Sequence, residues 1–119
     1  KRDRNVSQER AESLRDLAAN VVRHIEEHYD DPNLNVNTIG ERFQLKGSYL
    51  SKLFKTQTGE GLPDYLNKFR IERAKGMIGE RRLSVSDVAR QVGYHEVATF
   101  IRVFKKYEGI TPGKFKEMV

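Results

Sequence analysis

The 119-residue chain has no cysteine, no tryptophan and only three prolines. Without cysteine there are no disulfides and no thiolate metal ligands, and the redox compartment stays open. No stretch approaches the 18 consecutive apolar residues of a membrane-spanning helix, so no membrane contact is expected. The opening Lys1-Arg2-Asp3-Arg4-Asn5 lacks the apolar core of a secretory signal. There is no alternating β-branched run and no Asn-Gly or Asp-Gly turn, so strands find no support. The nine glycines are scattered and form no phosphate loop. With three histidines and no nucleophile–base pair, no catalytic residue is assigned, no cofactor is implied and an enzyme is not expected.

What the chain does have is charge, unevenly spread. Charged residues make up 33% and apolar residues 37%, enough for modest cores under a well-solvated surface. The net charge is +5, yet residues 1–34 carry 6 basic and 8 acidic side chains, against 16 and 9 in residues 35–119. A basic field over the C-terminal part attracts polyanions. On charge alone, a basic domain with no nucleic-acid partner fits equally well.

Apolar residues recur at spacings of three and four, which predicts an all-α fold. Residues 1–17 read as a linker or exposed helix from an upstream domain, and the start at Lys1 predicts an excised fragment. A firmer helix is expected from about Leu17 to Tyr29, with Val21, Val22, Ile25 and Tyr29 on one side. Asp30-Asp31-Pro32-Asn33 ends it. Residues 62–79 form a longer helical pattern. Leu62, Tyr65, Leu66 and Phe69 lie on one side of it, and Ile71, Ala74 and Ile78 on nearly the other. Such a helix is expected to pack against one subdomain early (residues 18–61) and another late (residues 80–119).

Those two subdomains are copies. Residues 35–43, N-V-N-T-I-G-E-R-F, match residues 84–92, S-V-S-D-V-A-R-Q-V. Each opens with a helix-capping side chain, Asn35 or Ser84, and Ser84 with Asp87 resembles a shortened capping box. Val36, Ile39 and Phe43 correspond to Val85, Val88 and Val92, and the small residues Gly40 and Ala89 coincide. Residues 50–59, L-S-K-L-F-K-T-Q-T-G, then match residues 100–109, F-I-R-V-F-K-K-Y-E-G. The offset grows from 49 to 50, so the second turn is one residue longer. Two short helices joined by a tight turn, twice over, are a pair of helix-turn-helix units.

The second helix of each unit is the candidate reader. Leu50, Leu53 and Phe54 form a core stripe, which turns Ser48, Ser51, Lys52 and Lys55 outward. Phe100, Val103 and Phe104 form the equivalent stripe, which turns Ala98, Ile101, Arg102 and Lys105 outward. Lys52 and Arg102 suit guanine O6 and N7, Ser48 and Ser51 suit base edges or phosphates, and Ala98 and Ile101 suit thymine methyls. Lys55, Lys105, Lys106 and His95 are expected to meet phosphates. Tyr49 and Thr99 flank the outward faces. The bland reading of the same residues is a pair of solvated helix faces.

The sequence resembles the C-terminal DNA-binding domain of the AraC/XylS family of bacterial transcription regulators over residues 18–118. The resemblance rests on Val88-Ala89, Val92-Gly93-Tyr94, Phe100 to Lys106, Gly109-Ile110-Thr111-Pro112 and Phe115. Tyr65-Leu66 and the Arg70 to Ala74 run resemble the family's connecting helix. It implies seven helices and two reader helices in successive major grooves of double-stranded DNA. Base contacts then fall on Ser48, Tyr49, Ser51 and Lys52, and on Val97, Ala98, Thr99 and Arg102. Ile101 and Glu96 depart from the family's pattern, so the second unit is expected to supply mainly phosphate and apolar contacts. Contact with RNA polymerase and a cytoplasmic location follow from the resemblance alone. The fragment is expected to be a monomer, with dimerisation left to the missing region.

Two other readings compete. His24-Ile25-Glu26-Glu27-His28 formally matches the H-x-x-E-H metalloprotease pattern. It lies in a short helix with no third ligand in a cleft-forming context, so no metal site is assigned. A helical protein-interaction module docking an acidic partner is the functional alternative. It predicts neither sequence preference nor protection of bases.

Overall fold

The computed structural model describes residues 2–81 and 83–119, with side chains placed for 6–80 and 83–119. Seven α-helices and no strand are found among the described residues. They are α1 (Arg2–His28), α2 (Val36–Arg42), α3 (Gly47–Thr58), α4 (Leu62–Arg81), α5 (Val85–Gln91), α6 (Val97–Glu108) and α7 (Pro112–Met118). Two compact units form, one from Lys1–Glu27 with Asn35–Pro63 and one from His28–Leu34 with Asp64–Val119.

In the first unit α1 begins well before the helix expected at Leu17. No glycine or proline interrupts residues 2–28, so the exposed segment propagates as helix into the packed part. Ala18, Val21 and Ile25 of α1 are buried, as are Ile39 of α2, Leu50 and Phe54 of α3, and Leu62. Asn35 caps α2 by accepting from the Thr38 amide at 3.0 Å. Its own amide donates to Thr38 Oγ1 at 2.9 Å, which completes a capping box. The α2–α3 corner is tight at Gly40, where a Cβ would lie 2.5 Å from the Leu45 carbonyl oxygen and 3.1 Å from the Gly47 amide nitrogen. A residue of any size there forces the two helices apart.

In the second unit Leu66, Arg70, Ala74 and Ile78 of α4 are buried, with Ile71 alongside. Residues four apart advance about 40° around a helix, so this row winds gradually across it. That winding is the physical content of the stripe that changes sides in the sequence. Phe69, expected on the early side, meets Tyr29 edge-on at 5.3 Å within this same unit. The remaining core comes from Val88, Ala89, Val92, Tyr94, Phe100, Val103 and Phe104. Its rings step from Tyr94 to Phe100 (5.5 Å), Phe104 (5.8 Å) and Phe115 (5.6 Å). Buried phenylalanines of this kind contribute about 1.5–3 kcal/mol each by area. Ser84 caps α5 by accepting from the Asp87 amide at 3.0 Å, and Thr111 caps α7 ahead of Pro112.

Candidate nucleic-acid interface

The two helix-turn-helix corners share one backbone design. Leu45 donates its amide to the Gly40 carbonyl at 2.8 Å, and Tyr94 donates to the Ala89 carbonyl at 2.9 Å. The turn residue before each has positive φ, Gln44 at 59° and Gly93 at 99°. The corners diverge only after Leu45 and Tyr94. Lys46 immediately precedes α3, whereas His95 is inserted before Glu96, the residue preceding α6. The offset of 49 therefore becomes 50 at His95. Both reader helices end at a left-handed glycine, Gly59 (φ 80°) and Gly109 (φ 81°). Each glycine amide donates at 2.8 Å to the carbonyl four residues back, on Lys55 or Lys105.

With the cores fixed, the outward faces follow. On α3, Leu50 and Phe54 are wholly buried, while Ser48, Tyr49, Lys52 and Lys55 are exposed and Ser51 is half-buried. Tyr49 keeps 54% of its surface. Ser48 also lines an open hollow with Asn37, Glu41 and Lys46 at the head of α3. On α6, Phe100, Val103 and Phe104 are buried, while Ala98, Arg102, Lys105 and Lys106 are exposed and Thr99 is half-buried. Ile101 is 36% exposed, an apolar side chain beside Arg102 on the outward face. Val97 is half-buried and packs against the core cluster, so only part of it faces out. The Lys106 ammonium lies 5.5 Å from the Tyr107 ring centroid, which draws it to the side of the helix.

His95 is exposed, and its Nε2 lies 3.2 Å from Asn33 Oδ1. This insertion thus touches the loop that follows α1 within the second unit. That loop is held by Arg70, which sequence reading passed over. Arg70 Nε donates to the Tyr29 carbonyl at 2.8 Å and Nη2 to the Asp31 carbonyl at 2.9 Å. Nη2 also reaches the Leu34 carbonyl at 3.5 Å. Its guanidinium stacks 5.3 Å from the Tyr94 ring. Burial lowers the Arg70 pKa, an effect that Tyr94, Asp31 and Asp30 partly offset. Burial also pushes the Tyr94 hydroxyl up to about 12, while that hydroxyl donates to Asn67 Oδ1 at 2.8 Å. A signal for Arg70 existed: it stands midway between Leu66 and Ala74, on a row of otherwise apolar residues.

His24 packs edge-on against Phe43 at 5.8 Å, His28 is exposed, and no group of three potential ligands occurs among the described residues. Nor is any helix among them long and apolar enough to cross a membrane.

A helix-turn-helix domain family matches residues 39–118. The arabinose operon regulatory protein of Escherichia coli is 33% identical over 109 residues, 88% of this chain and 37% of that protein. The C-terminal domain of the response regulator yesN from Fusobacterium nucleatum superposes with a TM-score of 0.78 at 36% identity. That match covers 81% of this chain and 93% of that one. The DNA-binding domain of AdpA, solved in complex with a target DNA, shares the fold at a TM-score of 0.78 and 22% identity. Here 85% of this chain and 90% of that one are covered. The chain spans 13 to 37% of the length of four curated regulators that it matches. Two duplicated helix-turn-helix corners, the matched family and these relatives agree: the chain belongs to the AraC/XylS family of transcription regulators, as its DNA-binding domain rather than an enzyme.

Proposed function

We propose that this domain reads double-stranded DNA by placing α3 and α6 in adjacent major grooves, and so regulates bacterial transcription. The supporting observation is the repeated register: in each unit the face opposite the buried pair, Leu50 and Phe54 or Phe100 and Phe104, exposes cations at matching repeat positions, Lys52 and Lys55 or Arg102 and Lys105. Ser48, Tyr49, Ser51 and Lys52 meet base edges in one groove, and Val97, Ala98, Thr99 and Arg102 in the other. Arg102 donates in a bidentate manner to guanine, and Ala98 and Ile101 contact thymine methyls. Lys55, Lys105 and Lys106 neutralise phosphates, and His95 bonds one. The two half-sites lie about 34 Å apart on the duplex, one turn of B-DNA, within about 20 base pairs. This domain acts as a monomer in the cytoplasm. Dimerisation and contact with RNA polymerase belong to the longer regulator.

Duplex binding titrated against salt tests this reading. Affinity should fall steeply with salt and differ between sequences by factors of about 10³ or more. Binding to acidic proteins with no preference among duplex sequences supports the interaction-module alternative instead.

A further inference from the structure

The N-terminal half of α1 is helical and mostly exposed, and its described charges are sorted by face. With Leu14 as origin and about 100° per residue, Ser7, Arg10 and Ala11 lie within about 60° of it. The buried Ala18, Val21 and Ile25 continue the same stripe. Glu9, Glu12 and Asp16 all lie within about 40° of the opposite side. Among the described side chains, the α1 face that turns toward the core thus carries Arg10, and Glu9, Glu12 and Asp16 turn away.

That face abuts the candidate reader helix. Leu14 closes one side of a hollow of about 220 Å³ whose other side is Tyr49, Lys52, Leu53, Thr56 and Gln57 of α3. Arg10 stands one turn before Leu14, about 6 Å along the axis, and is exposed. Val6, Ser7, Arg10, Ala11 and Leu14 line a second hollow running along α1 itself.

We propose that this segment of α1 is a third DNA-contacting element, in which Arg10 grips a phosphate flanking the groove that α3 reads. The inference rests on the DNA-binding reading above and extends it to a part of the chain outside both helix-turn-helix units. Charge selects the occupant. A second copy of α1 laid along the stripe would set Arg10 and Arg15, which flank it, against their counterparts, and Ser7 and Ala11 offer little apolar area in return. A phosphate backbone meets the same cations with complementary charge.

The test compares Arg10→Ala with Arg23→Ala in the full chain, by binding to a selected duplex across a salt series. Arg23 is an exposed cation about 180° from Leu14 on the same helix, so its removal changes net charge equally. Arg10→Ala should weaken binding about fivefold at physiological salt, equally for all sequences, and reduce the salt slope by about 0.9. Arg23→Ala should leave the slope unchanged. If Lys52→Ala weakens binding while Arg10→Ala matches Arg23→Ala, the proposal fails and the reading of α3 stands. If the unmodified chain binds no duplex, both fail. Self-association that Arg10→Ala abolishes, with DNA affinity untouched, assigns the stripe to a second copy and overturns the proposal.

Discussion

Gly93 leaves room for Arg70. A Cβ at position 93 would lie 2.9 Å from Arg70 Nε and 3.0 Å from Nη2, and would strike the Tyr29 carbonyl oxygen. The turn of the second helix-turn-helix unit and the loop after α1 are therefore fastened through one guanidinium. Gly93→Ala combines this collision with a positive φ, and should cost at least about 2 kcal/mol in denaturant unfolding. Gly109→Ala has the same backbone problem with open space around it, and should cost about 1 kcal/mol. In an Arg70→Ala background the cost of Gly93→Ala should shrink by about 1 kcal/mol. Additive costs contradict the shared packing.

Tyr94 gives the second unit a defined alkaline limit. Its folded pKa stands at about 12, above the ordinary tyrosine value, because burial disfavours the phenolate. A raised pKa contributes fully while both states are protonated, and the contribution is lost as pH rises through the window from about 10 to 12. At neutral pH Tyr94→Phe should cost about 1 kcal/mol, the hydrogen bond to Asn67. The advantage of tyrosine over phenylalanine should narrow between pH 10 and 12, followed by stability against pH. An advantage that holds constant to pH 12 excludes this account.

Cations on the reader helices should separate by what they touch. Lys52→Ala and Arg102→Ala should each cost about 1–3 kcal/mol of binding on the preferred duplex and relax preference at one position. Lys55→Ala and Lys105→Ala should weaken binding uniformly and reduce the salt slope by about 1 each. Competition between matched and mismatched duplexes distinguishes the two patterns.

Ile101 and Ala98 predict methyl recognition. Replacing a contacted thymine by uracil removes one methyl, worth about 0.8 kcal/mol when buried. Ile101→Ser should abolish that difference at its thymine while leaving positions read by α3 unchanged. Equal affinity for thymine and uracil throughout the second half-site removes Ile101 from the interface.

The repeat made most of the fold legible. Asn35, Ser84, Gly59 and Gly109 mark helix ends by local chemistry, and the stripes at Leu50–Phe54 and Phe100–Phe104 orient the reader helices without tertiary knowledge. The outward positions of Lys52 and Arg102 follow from those stripes. Val97 was harder, because at about 60° from Phe100 it sits on the boundary between core and surface. The N-terminal half of α1 was ambiguous because its apolar stripe is thin; continuity with a packed helix decides it. Arg70 was missed because periodicity counts a charged residue as outward, whereas three carbonyls compensate its burial.

Two like units that each read a short sequence should leave two separate marks on the DNA they bind. Selection of bound duplexes from a random pool at physiological salt, repeated with Lys52→Ala and Arg102→Ala, tests this most directly. Two enriched motifs about 10 base pairs apart are expected, one blurred by each substitution. Enrichment of no motif, or of one motif insensitive to both substitutions, contradicts that expectation.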